Sequence, residues 1–144
     1  LYRDQLVAVL PLDHELAGQP YFPMDLLDKY PYIKLDEDVT GSDNYSACID
    51  QIFDTQGKTP RICVHTRSEY TALAMIAGHQ GYSILPAMTE DRTRHQLVYI
   101  PLEKPCFRYV SLLVAESRER IVLVQNFIKM VQDWILEKYK DIIN

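Results

Sequence analysis

Two stretches place hydroxyl and cationic side chains just where a helix is about to begin. Thr40-Gly41-Ser42 precedes one amphipathic segment, and His65-Thr66-Arg67-Ser68 precedes another. The first N–H groups of a helix have no partner inside it, and the aligned peptide dipoles leave partial positive charge there. Ser or Thr at such a place caps the helix or shares the spot with a bound carboxylate or similar anion. Both uses stay open for Ser42 and Thr66. Thr66-Arg67-Ser68-Glu69 also fits the S/T-x-x-E capping box, in which hydroxyl and carboxylate each satisfy a free backbone N–H. Arg67 suits a counter-charge for an anion as well as a solvated surface. His65 suits a ligand contact as well as an ordinary strand end.

Other chemistry is hard to assemble. Cys48, Cys63 and Cys106 are too far apart for a C-x-x-C motif, and their odd number speaks against a disulfide framework and for a reducing compartment. They read as small buried apolar residues. His14, His65, His79 and His95 show no metal-ligand spacing. Asp36, Glu37 and Asp38 share one loop and read as a solvated acidic turn. Gly78-His79-Gln80-Gly81-Tyr82-Ser83 is not a G-x-S-x-G nucleophile elbow, and no G-x-x-x-x-G-K-[ST] phosphate loop is present. The chain is therefore expected not to be an enzyme and to carry no cofactor or metal.

The elements that would position these residues alternate in type. Leu6-Val7-Ala8-Val9-Leu10 is a continuous apolar run closed by Pro11, the pattern of a strand buried on both faces. Pro23 opens a short helix and Pro31 ends it. Tyr32-Ile33-Lys34-Leu35 is a short strand. Tyr45, Cys48, Ile49, Ile52 and Phe53 give the stripe of an amphipathic helix, with Gly57 as its C-terminal cap. A strand begins at Ile62-Cys63-Val64. A helix over residues 67–77 follows, with Tyr70, Leu73, Ala74, Ile76 and Ala77 inward. Tyr82-Ser83-Ile84-Leu85 is a strand stopped by Pro86. Residues 97–100 and 109–114 read as two more strands. Val124, Phe127, Ile128, Val131, Trp134, Ile135 and Tyr139 mark a long helix over residues 121–140. Strands alternating with helices mean an α/β domain with a mostly parallel sheet. Residues 12–85 can form their own small sheet, whereas the terminal segments need partners.

The 144 residues, 47% hydrophobic and 24% charged, suit a soluble globular domain with its own core. The net charge of −5 repels phosphate backbones, so this segment is not expected to hold DNA by itself. No apolar run approaches the roughly 20 residues that a membrane helix needs, and the first residues do not resemble a signal peptide.

Three stretches, in order and at fitting spacing, resemble the effector-binding domains of LysR-type transcriptional regulators. The first is Leu6-Val7-Ala8-Val9-Leu10-Pro11 with Asp13-His14-Glu15-Leu16-Ala17, similar to that family's strand, Pro, then His-Pro-Leu-Ala; Glu15 stands where the family usually has Pro. The second, residues 72–86, is similar to L-x-x-V-A-A-G-x-G-I-x-x-L-P, with Gly81 and Pro86 in register and His79 at the place of the first usual Gly. The third is Leu97-Val98-Tyr99-Ile100-Pro101-Leu102, then residues 108–114, then an amphipathic helix containing Phe127.

The resemblance implies an α/β fold like type 2 periplasmic binding proteins, two α/β lobes joined by two crossover strands. In this chain the first lobe would be incomplete. Residues 1–11 would be one crossing, residues 12–85 the second lobe, and residues 86–144 the return crossing and the C-terminal part of the first lobe. A small-molecule effector, expected to be anionic, would sit between the lobes, and Thr40, Ser42, His65, Thr66, Arg67 and Ser68 are its candidate contacts. The resemblance also implies a cytoplasmic homo-oligomer, dimer or tetramer, that meets DNA through a helix-turn-helix preceding this chain. The stripe from Tyr45 to Phe53 is then core first and a candidate subunit contact second. The alternative is a solute-binding protein of a transport system, which shares the lobe plan and would carry a secretion signal upstream.

Overall fold

The structure, a computed structural model, describes residues 2–36, 45–89 and 96–138. Within these the chain forms two compact units. The larger is Gln5–Arg108; the smaller joins Leu1–Asp4 to Tyr109–Asn144. The boundaries of the larger unit fall inside two strands, β1 (Tyr2–Pro11) and β5 (Leu97–Val110), so the backbone passes between the units once in each.

In the larger unit, β1 lies between β5 and β4 (Ser83–Pro86). β1 and β4 run antiparallel, with Leu6 opposite Pro86 and Val9 opposite Ser83. A second pair, β2 (Pro31–Leu35) and β3 (Arg61–Thr66), is parallel. A bridge between Tyr32 and Tyr82 joins the two: the Ile33 N–H donates to the Tyr82 carbonyl at 2.8 Å, and the Tyr82 N–H donates to that of Pro31 at 2.9 Å. The sheet is thus mixed rather than mostly parallel.

β1 is buried on both faces, as its apolar run predicts. Leu6, Ala8 and Leu10 face one core layer, and Val7 and Val9 the other. The first layer holds Phe22, Leu27, Tyr32, Tyr82 and helix α1 (Tyr45–Thr55), which contributes Ile49, Ile52 and Phe53. The second holds Ile33, Leu85 and helix α2 (Glu69–Ala77), which contributes Ala72, Leu73 and Ile76. A helix on each face keeps the apolar run of β1 dry on both sides. The buried hydroxyls are satisfied: Tyr82 donates to the Leu27 carbonyl at 2.6 Å and Ser83 to that of Ile33 at 2.8 Å.

Several local expectations shift. α2 starts at Glu69, not at residue 67, because Thr66 still belongs to β3. Tyr70 and Ala74 are exposed while Ala72 is fully buried, so the helix is turned from the face expected. The two strands expected at residues 97–100 and 109–114 are one strand, β5, ending at Val110. β5 stands at the edge of the order β4-β1-β5, where proline is tolerated. The Pro101 carbonyl still accepts the Phe22 N–H at 2.7 Å. Gly57 closes α1 as expected: at φ +61° it lets the Lys58 N–H return to the Phe53 carbonyl at 3.0 Å.

The smaller unit contains a helical turn (Glu116–Arg118) and helix α3 (Val122–Lys138). Two apolar stripes run along α3 side by side. Val124, Ile128, Val131 and Ile135 are half-buried or buried. Leu123, Phe127, Met130 and Trp134 are each more than half exposed.

Candidate functional site

The parallel order of β2 and β3 brings their C-terminal ends together. The Asp36 N–H, just past β2, donates to the Thr66 carbonyl at 2.8 Å. This bond extends the ladder by one step and holds the two strand ends level. Across it, His65 Nδ1 meets Asp36 Oδ1 at 2.9 Å, with both side chains well exposed. Pairing at Nδ1 fixes the ring and leaves Nε2 for another partner.

Beyond His65 the chain turns into α2. Thr66 Oγ1 accepts the Ser68 N–H at 3.1 Å, which bends the chain. Ser68 is the N-cap: its backbone is extended, and its Oγ accepts the Thr71 N–H at 3.3 Å. The capping box expected from Thr66 to Glu69 therefore gives way to a hydroxyl turn followed by a serine cap. Thr66 is held back by its place in the β3 ladder, opposite Leu35. Arg67 lies between them, exposed and without a hydrogen-bond or ion-pair partner among the described residues.

His65, Thr66, Arg67 and Ser68 are thus consecutive on one rim, where a strand ends and a nine-residue helix begins. Thr40 and Ser42 lie outside the described residues. Asp36, the last described residue before them, was read as part of a solvated acidic turn. The signal that it does more is that parallel strands place the residue after β2 beside the end of β3, and this follows only once the pairing is known. Lys34 Nζ meets Asp50 Oδ1 at 3.0 Å, tying β2 to α1 close to this rim.

A second polar cluster gathers at the opposite end of these strands, on the turn after β1. His79 Nε2 meets Asp13 Oδ1 at 2.9 Å. Glu15 Oε1 accepts from the Tyr30 hydroxyl and from Lys29 Nζ. The hydrogen bond from His79 holds the Asp13 carboxyl below its ordinary value, and that from Tyr30 does the same for Glu15. His14 is half-buried, its Nδ1 accepts the Leu16 N–H at 3.2 Å, and burial pushes its imidazole below the ordinary range. Glu15 and His79, the two departures from the family pattern, therefore both anchor this turn.

The family described as the LysR substrate binding domain matches residues 1–135. No curated protein sequence matches the chain. Among solved structures, OxyR of Corynebacterium glutamicum, as a C206 mutant, is similar with a TM-score of 0.72 at 20% identity over 95% of this chain and 43% of its own. HinK, a LysR family transcriptional regulator from Pseudomonas aeruginosa, gives 0.65 at 22% over 81% and 42%. The CcmR regulatory domain of Synechocystis PCC6803, in complex with 2-PG, gives 0.66 at 18% over 89% and 61%. The chain thus spans between about two fifths and three fifths of these proteins. No helix among the described residues is long and apolar enough to cross a membrane. With the family pattern running through nearly its whole length and its strands and helices laid out as in solved LysR-type structures, the chain belongs to the LysR substrate-binding domain family.

Proposed function

We propose that this chain is the ligand-sensing part of a LysR-type DNA-binding transcriptional regulator, and that a small organic anion binds at the rim formed by the ends of β2 and β3. The observation that carries this reading is the arrangement of His65, Arg67 and the N-terminus of α2 on one rim, beside the end of β2, after which Thr40 and Ser42 follow in sequence. In parallel α/β sheets ligands settle outside the C-terminal ends of strands. There an N-terminal dipole, an exposed guanidinium and hydroxyls together favour a carboxylate. That CcmR was solved with 2-PG fits a binding role for the fold. A regulator in this family works by binding rather than by catalysis. The ligand must favour one arrangement of the protein over another, with a coupling of about 1–3 kcal/mol.

In the same reading, β1 and β5 are the two crossover strands, the larger unit is the second lobe, and the smaller unit is part of the first. The uncovered stripe of α3 then packs against the rest of the first lobe, supplied by chain upstream. The full protein is a cytoplasmic dimer or tetramer that contacts promoter DNA through an N-terminal helix-turn-helix.

The test is a thermal-shift panel of small carboxylates on the full-length protein, followed by titration of the best binder. Thr40→Val and Arg67→Ala should each weaken its affinity about tenfold, the loss of one charge-assisted or hydroxyl contact worth roughly 1.4 kcal/mol. Unchanged affinity in both would remove the site from this rim.

A further inference from the structure

The turn that follows β1 is closed by an imidazole in a bond that only its neutral form can make. His14 Nδ1 accepts the Leu16 N–H at 3.2 Å. A ring nitrogen accepts only through a free lone pair, so the proton of the neutral ring sits on Nε2. Three backbone bonds surround this one. The His14 N–H donates to the Pro11 carbonyl at 3.0 Å, the Ala17 N–H to that of His14 at 2.8 Å, and the Gln19 N–H to that of Leu16 at 3.0 Å. Together they seat Leu16 in the core layer that holds Leu6 and Leu10 of β1. The His14 ring also stands edge-on to Tyr30, with centroids 4.9 Å apart, and the Tyr30 hydroxyl donates to Glu15.

We propose that His14 is a proton-operated latch: neutral, it holds the turn from Asp13 to Gln19 closed, and charged, it releases Leu16 and the end of β1. The geometry leaves the incoming proton one place. Nε2 already carries one, so the second goes on Nδ1 and faces the Leu16 N–H. Two donors then meet with no acceptor between them, the bond is lost, and the half-buried ring turns out to water. The groups facing the ring come from three places. Asp13 and Glu15 of the turn favour the charged form, Lys29 beside Tyr30 and His79 at the end of α2 oppose it, and burial outweighs them all on the neutral side. Both carboxylates are also engaged elsewhere, Asp13 with His79 Nε2 at 2.9 Å and Glu15 with Lys29 and Tyr30. Protonation of His79 only strengthens its pair with Asp13, so the opening is confined to the turn beyond Asp13. Glu15 sharpens the response. Proline, usual at this place in the family, fixes its own backbone, whereas glutamate leaves the turn to its hydrogen bonds. Because the closed turn lowers the imidazole from its ordinary 6.5, the latch holds above that pH and lets go progressively below it. It lies at the end of one of the two strands by which the backbone passes between the units.

NMR on the full chain reads the latch directly. At neutral pH the His14 ring should be the Nε2–H tautomer, and the Leu16 amide should be protected from hydrogen exchange. Between about pH 7.5 and about pH 5.5 the Leu16 protection factor should fall about fivefold to tenfold, the ceiling being one decade per pH unit below 6.5. Leu16 should exchange faster than the amides of β1 throughout, which marks the opening as local. An Nδ1–H tautomer, Leu16 protection that does not change with pH, or exchange no faster than in β1 would overturn the proposal, and none of these readings needs a variant. His14→Asn supplies an acceptor to the N–H two residues on without a titrating group. It should hold Leu16 protection level across the range, whereas His14→Leu should leave that amide unprotected at every pH. A fall in His14→Asn equal to that of the parent chain would assign the pH dependence to another group and sink the latch.

Discussion

At the scale of single residues, backbone geometry explains the most demanding positions. Gly81 has φ +158°, and a Cβ placed there would stand 2.5 Å from the Pro31 carbonyl oxygen. That carbonyl accepts the Tyr82 N–H and so helps join the two strand groups. Gly81→Ala should cost about 2 kcal/mol or more through strain and a weakened bridge, read as a lower denaturant midpoint. Its place in the family pattern was legible from sequence; the close approach that demands it was not. His79 is the converse case. It holds φ +59°, the left-handed conformation that ends α2, where the family usually has Gly. Its N–H and that of Gln80 return to Ile76 and Met75, so the turn forms despite the side chain. His14 yields a pH prediction. Burial lowers its folded value below 6.5, so the unfolded chain takes up the proton first as pH falls. The stability of the larger unit should decline as pH drops below about 6.5, levelling once folded His14 is also protonated. His14→Gln should flatten thermal midpoints measured between pH 7 and 5, and an unchanged slope would assign the effect elsewhere.

At the scale of elements, type was more legible than orientation. The run from Leu6 to Leu10 announced a two-sided strand because no polar residue interrupts it, and the stripe of α1 placed Ile49, Ile52 and Phe53 inward. α2 was misread because apolar residues surround it. Ala72, Leu73, Ala74, Met75, Ile76 and Ala77 carry no polar marker of an outer face, so periodicity alone could not choose between Ala72 and Ala74. The start of α2 was misread for a related reason. Two hydroxyl residues, Thr66 and Ser68, could each cap, and only the pairing of β3 with β2 takes Thr66 out of contention. Ser68→Ala should therefore cost about 1 kcal/mol, while Thr66→Val, which keeps the β-branched shape and removes a turn hydrogen bond, should cost less. Urea unfolding of both variants checks the order, and the reverse order would restore the capping box. The candidate site was half legible: sequence singled out the residues from the end of β3 to the start of α2, but the His65–Asp36 pair, 29 residues apart in the chain, depends on two strands lying side by side.

At the scale of the whole molecule, the two units differ in how well their apolar surfaces are covered. In the larger unit Leu6, Leu10, Phe22, Ile33, Ile76 and Leu85 are fully buried, so truncating any to Ala should cost about 2–5 kcal/mol. In α3, by contrast, Leu123 is 78% and Trp134 52% exposed on one continuous stripe. A 17-residue helix with two adjacent apolar stripes has the pattern of an element packed from two sides. Exposed stripes of this kind mark an interaction surface. If the rest of the first lobe covers this one, Trp134 fluorescence should be readily quenched by acrylamide in the 144-residue chain and shielded in the full-length protein. Phe127→Ala should then cost the full-length protein about 3 kcal/mol, the usual penalty for truncating a buried Phe. The same substitution should leave the unfolding of the short chain nearly unchanged, because exposed Phe127 has little contact to lose there. Equal quenching in both proteins, together with an equal effect of Phe127→Ala, would mean that the stripe stays open to solvent.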